Sequence, residues 1–233
     1  PSSRRYPSPL YLRVEDVPGA ELAAEQVGAA AAAGRALNAD RRIDRDAVWA
    51  LKLAALEAVW TQVADGWQAP DDEGLVRHAT FCALAEHRDG GWRSWPEGLQ
   101  HPGLPAVAEF ARTHADRVRF WAWCTTATTA QLDAAGRAGA GLVGDLAVGF
   151  DPDGSDAWCD QDLLADGCRI GAPPDDFAPD GQDWGLPPYV PWKLRADAYR
   201  PLLATLRALP EVERADVAGS LRRRKETIGD LDF

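Results

Sequence analysis

Two incompatible grammars meet in this chain near residue 140, and that change limits its architecture more than any other feature. From Arg45 to Ala64, apolar residues recur at three- and four-residue spacing (Trp49, Leu53, Leu56, Trp60 and Val63), the pattern of a helix that buries one face. From Asp151 to Pro191 the sequence is instead dominated by Asp, Gly and Pro and has little periodicity. A structureless stretch that long is uncommon in a compact domain unless it forms functional loops. Between the two grammars, Ala140 to Gly149 reads as a short, fully buried strand flanked by glycine. A helix followed by such a strand points to a parallel α/β arrangement.

The remaining elements follow from local signals. Leu10 to Val14 is a short β-prone run ended by Pro18-Gly19. Ala20 to Ala36 is alanine-rich and predicts a helix, although Gly28 and Gly34 each cost about 1 kcal/mol relative to Ala. Asp44 is placed to cap the Arg45 helix and Gly66 to close it. Further helices are predicted over Leu75 to Glu86, from Ala106 through the Phe120 to Trp123 cluster, over Gln131 to Ala138, and from Lys193 to Ala208.

The chain has 233 residues, of which 46% are hydrophobic, enough for a sizeable core. Its net charge of −11 repels phosphate backbones and anionic lipid, so binding either would require a local basic patch. No apolar run reaches a membrane span and no signal peptide is visible, which makes a cytoplasmic location the expectation. Cys82, Cys124, Cys159 and Cys168 form no C-x-x-C pair and read as reduced structural thiols. The chain begins at Pro1, contains no Met and stops at Phe233 inside an apparent strand, which suggests a fragment.

Several residues carry possible chemistry. Asp145 follows the buried apolar run, where a carboxylate could bind hydroxyls; satisfaction by backbone donors in a turn is the plain alternative. Trp184 and Tyr189 combine flat faces with polar tips, and Gln182 offers both a donor and an acceptor, the requirements for sugar recognition. Trp184, set among Gly and Pro, favours such a surface role, whereas Trp49 and Trp60 fit a core. Asp151 to Asp156 superficially resembles a calcium loop, but its sixth position is Asp156 and its twelfth is Asp162, so a turn is expected.

Three segments resemble the amylomaltase, or 4-alpha-glucanotransferase, family. They are Pro1 to Arg5 with Pro9 to Leu12, then Gly144 to Gly149 with Ser155 to Trp158, and most specifically Gly171 to Phe177 with Gly181 to Tyr189. The resemblance covers about residues 1–208. It implies an α/β fold, an incomplete (β/α)8 TIM barrel with helical insertions, acting on α-1,4-glucans such as maltodextrins. The implied reaction is a retaining transfer that needs no cofactor. Retention requires a carboxylate nucleophile and a carboxylic acid/base about 5 Å apart. The family's Arg-x-Asp-His nucleophile motif and its later acid/base Glu are not found here, so glucan binding through Asp145, Gln182, Trp184 and Tyr189 is expected without turnover.

The segment of residues 209–233 reads differently. Gly219-Ser220-Leu221-Arg222-Arg223, followed by Gly229-Asp230-Leu231-Asp232, is similar to the family X DNA polymerase and nucleotidyltransferase pattern. That resemblance implies a palm-like fragment. Gly219, Ser220 and Arg223 would meet phosphate, Asp230 and Asp232 would share Mg2+, and a nucleotide or nucleic acid would bind only if the motif functions. The expected chain is therefore a chimera joined near the Arg200 to Ala208 word.

Overall fold

The computed structural model describes residues 2–138 and 147–207. These fall into two compact units. One comprises Pro7–Gly90 and Pro102–Gln131; the other comprises Ser2–Tyr6, Gly91–His101 and the described part of Leu132–Phe233. Most of the apolar run at 140–149 and the whole 209–233 segment, with its expected palm-like fold, lie outside the described residues.

The first unit is helical. It is built from α1 (Ala24–Ala36), α2 (Arg45–Val63), α3 (Glu73–His87), α4 (Pro105–Thr113) and α5 (Ala115–Arg137), the last contributing through Gln131. Asp44 caps α2 through Ala47 N at 2.9 Å, and Asp72 caps α3 through Leu75 N at 3.1 Å. Each cap satisfies an amide that the helix leaves without an internal partner. The α2 stripe packs as its spacing predicts, with Leu56 and Trp60 buried together with Ala55 and Val59. Trp60 is ringed by Trp67, Phe120 and Trp123 at centroid distances of 5.7, 6.2 and 5.6 Å. Trp49 stacks on Trp121 at 5.9 Å.

Arg117 links three helices inside this aromatic layer. Its guanidinium bonds to Glu86 on α3, lies 2.8 Å from Glu57 on α2, and sits 4.1 Å from the Phe120 ring centre. Burial alone would lower its pKa, yet the Glu86 and Glu57 carboxylates raise it. Glu86 also accepts the Trp121 indole N–H at 3.0 Å, so its charge is shared between two donors.

Three sequence expectations are corrected. The Leu10 to Val14 run is no strand but two 3-10 turns, Pro9–Tyr11 and Val14–Asp16. Its alternation is real, since Leu12 and Val14 are buried, but Lys52 Nζ takes the Leu10 and Leu12 carbonyls at 2.5 and 2.9 Å. The helix expected from Ala106 breaks at His114, whose φ of −113° and ψ of 32° leave the helical region while its N–H still bonds Phe110 O at 2.9 Å, a carbonyl that also accepts the Thr113 hydroxyl. The short helix expected at Gln131 is the continuation of α5.

The second unit has little regular structure. It contains α6 (Ser155–Cys159), an antiparallel pair β1 (Ile170–Ala172) and β2 (Gln182–Leu186), then α7 (Pro191–Ala196) and α8 (Arg200–Arg207). This hairpin is the sheet found among the described residues. Trp158 is fully buried and donates to Leu99 O at 3.1 Å, with Trp95 at 6.4 Å between ring centres. The last predicted helix is split, because Ala198 and Tyr199 adopt positive φ of 52° and 59°. That conformation is unfavourable for residues with side chains. Burial of Tyr199 beside Leu194 and its N–H bond to Leu194 O at 2.9 Å oppose the cost.

A Cβ added at Gly28, inside α1, would meet no atom within 4 Å. Gly28→Ala is therefore expected to stabilise the chain by about 1 kcal/mol, read as a higher urea midpoint with an unchanged slope.

Candidate sugar-binding site

The irregular segment is organised around a close backbone approach. Gly171 faces Asp183 across the hairpin, and a Cβ there would stand 2.0 Å from Gln182 O, so no side chain fits. Between the strands, Asp175 accepts from Phe177 N at 2.8 Å and from Ala178 N at 2.7 Å, forming a tight side-chain turn. The turn leaves the Phe177 ring 98% exposed. A single exposed apolar residue is ordinary on a protein surface, so the ring is available for contact without itself signalling a ligand. Phe177 was passed over as an individual binding residue in the sequence; its signal was a lone aromatic residue within an Asp, Gly and Pro string.

Of the sequence candidates, Gln182 and Trp184 are brought together. They lie two apart on β2, so their side chains share one face. The Trp184 indole N–H donates to Gln182 Oε1 at 3.0 Å, and Trp184 remains 43% exposed. The bond occupies the amide oxygen and leaves the amide N–H groups as donors. Tyr189 has a different setting. It is half-buried, packs against the Leu194 and Tyr199 cluster, and lies 5.5 Å from the Phe150 ring centre. Burial raises its hydroxyl pKa well above the usual tyrosine value. Asp145 lies outside the described residues, as do Gly219, Ser220, Arg223, Asp230 and Asp232.

The same unit holds a polar cluster that the sequence did not single out by role. The Asp156 carboxylate accepts from Arg4 N at 2.6 Å and from the Ser3 hydroxyl at 3.1 Å. Ser2 Oγ donates to Asp151 at 2.6 Å, and Ser2 O accepts from Ser155 N at 3.0 Å. Two of the three motif-bearing segments are thereby stitched together. Arg4 also lies over the Phe150 ring at 5.4 Å. Asp160 is 3.5 Å from Arg200, which in turn meets Asp197 at 3.2 Å. Desolvation raises the pKa of both Asp156 and Asp160, opposed at Asp156 by its two donors and at Asp160 by Arg200. Asp151 to Gly154 is a turn as expected, closed by Gly154 N to Asp151 O at 3.0 Å. Among the described residues, no group of three or more His, Cys, Asp or Glu is placed to hold a metal ion. None of the described helices is long and apolar enough to cross a membrane.

The described residues thus combine a helical unit with a loop-rich unit built on one hairpin, and comparison with known proteins gives the chain a family. The profile of the family described as 4-alpha-glucanotransferase, Glyco_hydro_77, matches residues 1–215, and the chain belongs to this family. It is 40% identical to 4-alpha-glucanotransferase of Mycobacterium tuberculosis over 225 residues, covering 89% of this chain and 31% of that protein. The Haemophilus influenzae enzyme of the same name is 31% identical, covering 88% and 34%. In structure it is similar to amylomaltase from Corynebacterium glutamicum, with a TM-score of 0.66, 32% identity and coverage of 89% and 30%. A second fold match is amylomaltase from Streptococcus agalactiae in complex with acarbose, with a TM-score of 0.55, 18% identity and coverage of 69% and 35%. The chain thus spans about a third of the length of the curated relatives it matches. The family match runs past Ala208 and ends before the Gly219 to Asp232 motif.

Asp156 gives this site a pH signature. Its folded pKa stands above the ordinary 3.8, so the native state holds the proton more tightly than the unfolded chain. Its contribution to stability therefore falls as pH rises from about 4 through the raised value. Asp156→Asn keeps an acceptor for Arg4 N and removes the buried charge. Urea unfolding between acid and neutral pH is expected to show a smaller loss of stability with rising pH in this variant than in the parent.

Proposed function

We propose that this chain supplies the glucan-holding part of a 4-alpha-glucanotransferase, an enzyme that cleaves an α-1,4 bond and passes the glucan to another sugar hydroxyl with retention. The observation that carries this reading is the Gln182–Trp184 pair, a half-exposed indole fixed by its own hydrogen bond to an amide that keeps its N–H donors. Sugar rings present C–H faces that stack on indole and hydroxyl edges that take such donors. Phe177 adds a second exposed ring. Asp145 and Tyr189 belong to the same proposal, Asp145 as a hydroxyl acceptor and Tyr189 as an aromatic wall.

The carboxylates described here are committed elsewhere. A retaining nucleophile must be ionised with a free oxygen aimed at the sugar's anomeric carbon. The two Asp156 oxygens are taken by Ser3 and Arg4, and Asp160 faces Arg200. We therefore expect the 233-residue chain to bind maltodextrin without transferring it. No cofactor enters this chemistry. The nucleotidyltransferase reading of the tail, with Mg2+ at Asp230 and Asp232, rests on its motif alone.

Titration of the chain with maltoheptaose is expected to quench tryptophan fluorescence saturably. Trp184→Ala should weaken binding about tenfold, or about 1.4 kcal/mol; parental affinity in that variant would refute the platform. Incubation with maltotriose should leave it intact, and release of glucose with longer maltodextrins would refute the lack of turnover.

A further inference from the structure

The first unit contains a cavity of about 340 Å³ among α1, α2 and the turns at Tyr11 to Glu15. That size lies within the range of small-molecule pockets. Val27, Ala31, Val48, Leu51 and Ala55 give it an apolar side, and Arg13, Glu15, Arg35 and Asn38 give it a polar one. Lys52 lines this space from α2, and its ammonium donates to Leu10 O and Leu12 O rather than to a carboxylate. An ammonium has three donors, so one remains after those two bonds. The cations at the rim are already matched, Arg13 by Asp16 at 3.4 Å and Arg35 by Glu15 at 3.8 Å. The lining is therefore locally cationic, in a chain whose net charge is −11.

Gly34 completes the wall. It sits in the last turn of α1, and a Cβ there would meet nothing within 4 Å. The helix thus omits a side chain that has room, and the space stays open. Burial lowers the Lys52 pKa, with Glu15 opposing, so an arriving anion would offset a desolvation already incurred.

We propose that this cavity binds a small monocarboxylate with an unbranched or compact apolar body, its carboxylate on Lys52 and its body against the α1 and α2 walls. Such a site is separate in chemistry from sugar recognition, which needs hydroxyl-directed groups and flat aromatic faces.

Octanoate is the probe, titrated calorimetrically into the full chain, with 1-octanol as the uncharged arm. Saturable 1:1 octanoate binding with a negative heat-capacity change is expected, since apolar surface is removed from water. Gly34 lines the cavity and has room for a Cβ, so Gly34→Leu should take up part of the space, favour the helix and weaken octanoate at least about tenfold. Lys52→Met should weaken octanoate strongly and 1-octanol little. No saturable binding, several molecules bound per chain, or full affinity in Gly34→Leu would overturn the site. Equal binding of 1-octanol and octanoate to the parent would overturn the role of Lys52.

Discussion

The Asp156 carboxylate takes up the Arg4 amide and the Ser3 hydroxyl, and through them ties the Ser2–Tyr6 segment to the Asp151–Asp156 turn. Segments about 150 residues apart in sequence are held by this contact. Closing so long a loop is entropically unfavourable, so the bonds that hold it must be numerous or well shielded from water. Here they are numerous: Ser155 N to Ser2 O and Arg4 over Phe150 lie on the same seam. Phe150 in turn packs on Tyr189, whose neighbour Leu164 pairs with it in an isolated bridge. The end of the irregular segment is thereby anchored, and the hairpin between Leu164 and Tyr189 is presented from fixed ends.

The helical half of the chain was legible because local and tertiary signals agree there. Asp44 and Asp72 cap helices whose apolar spacing faces a core, so propensity, capping and burial select one answer. The misreadings fall where one signal is satisfied by an unforeseen partner. The alternation of Leu10 to Val14 is genuine, yet the carbonyls that a neighbouring strand would use are taken by Lys52 from forty residues away. The break at His114 is a departure from helical φ and ψ at one residue, which no periodicity reveals. The kink at Ala198 and Tyr199 uses positive φ without glycine, so its usual marker is missing.

The candidate site was partly legible for a different reason. Gln182 and Trp184 are recognisable by type, and their spacing on a strand puts them on one face. Their mutual bond, the exposure of Phe177 and the clamp at Asp156 are properties of the folded chain. The Asp, Gly and Pro composition correctly signals a loop, but it hides the register, because the hairpin depends on Gly171 having no side chain rather than on any apolar pattern.

Fixing the indole before a sugar arrives matters energetically. Immobilising a free side chain on binding costs about 0.5–1.5 kcal/mol, comparable with the gain from one aromatic stack. The Trp184 to Gln182 bond spends part of that cost during folding and leaves the amide N–H groups as donors. A platform prepared in this way can hold a neutral, well-hydrated ligand without charged partners. Its buried carboxylates, meanwhile, have exchanged reactivity for structure: oxygens that accept two donors away from water are poor candidates to attack a sugar. Asp156 and Asp160 thus serve to hold the chain's own segments together.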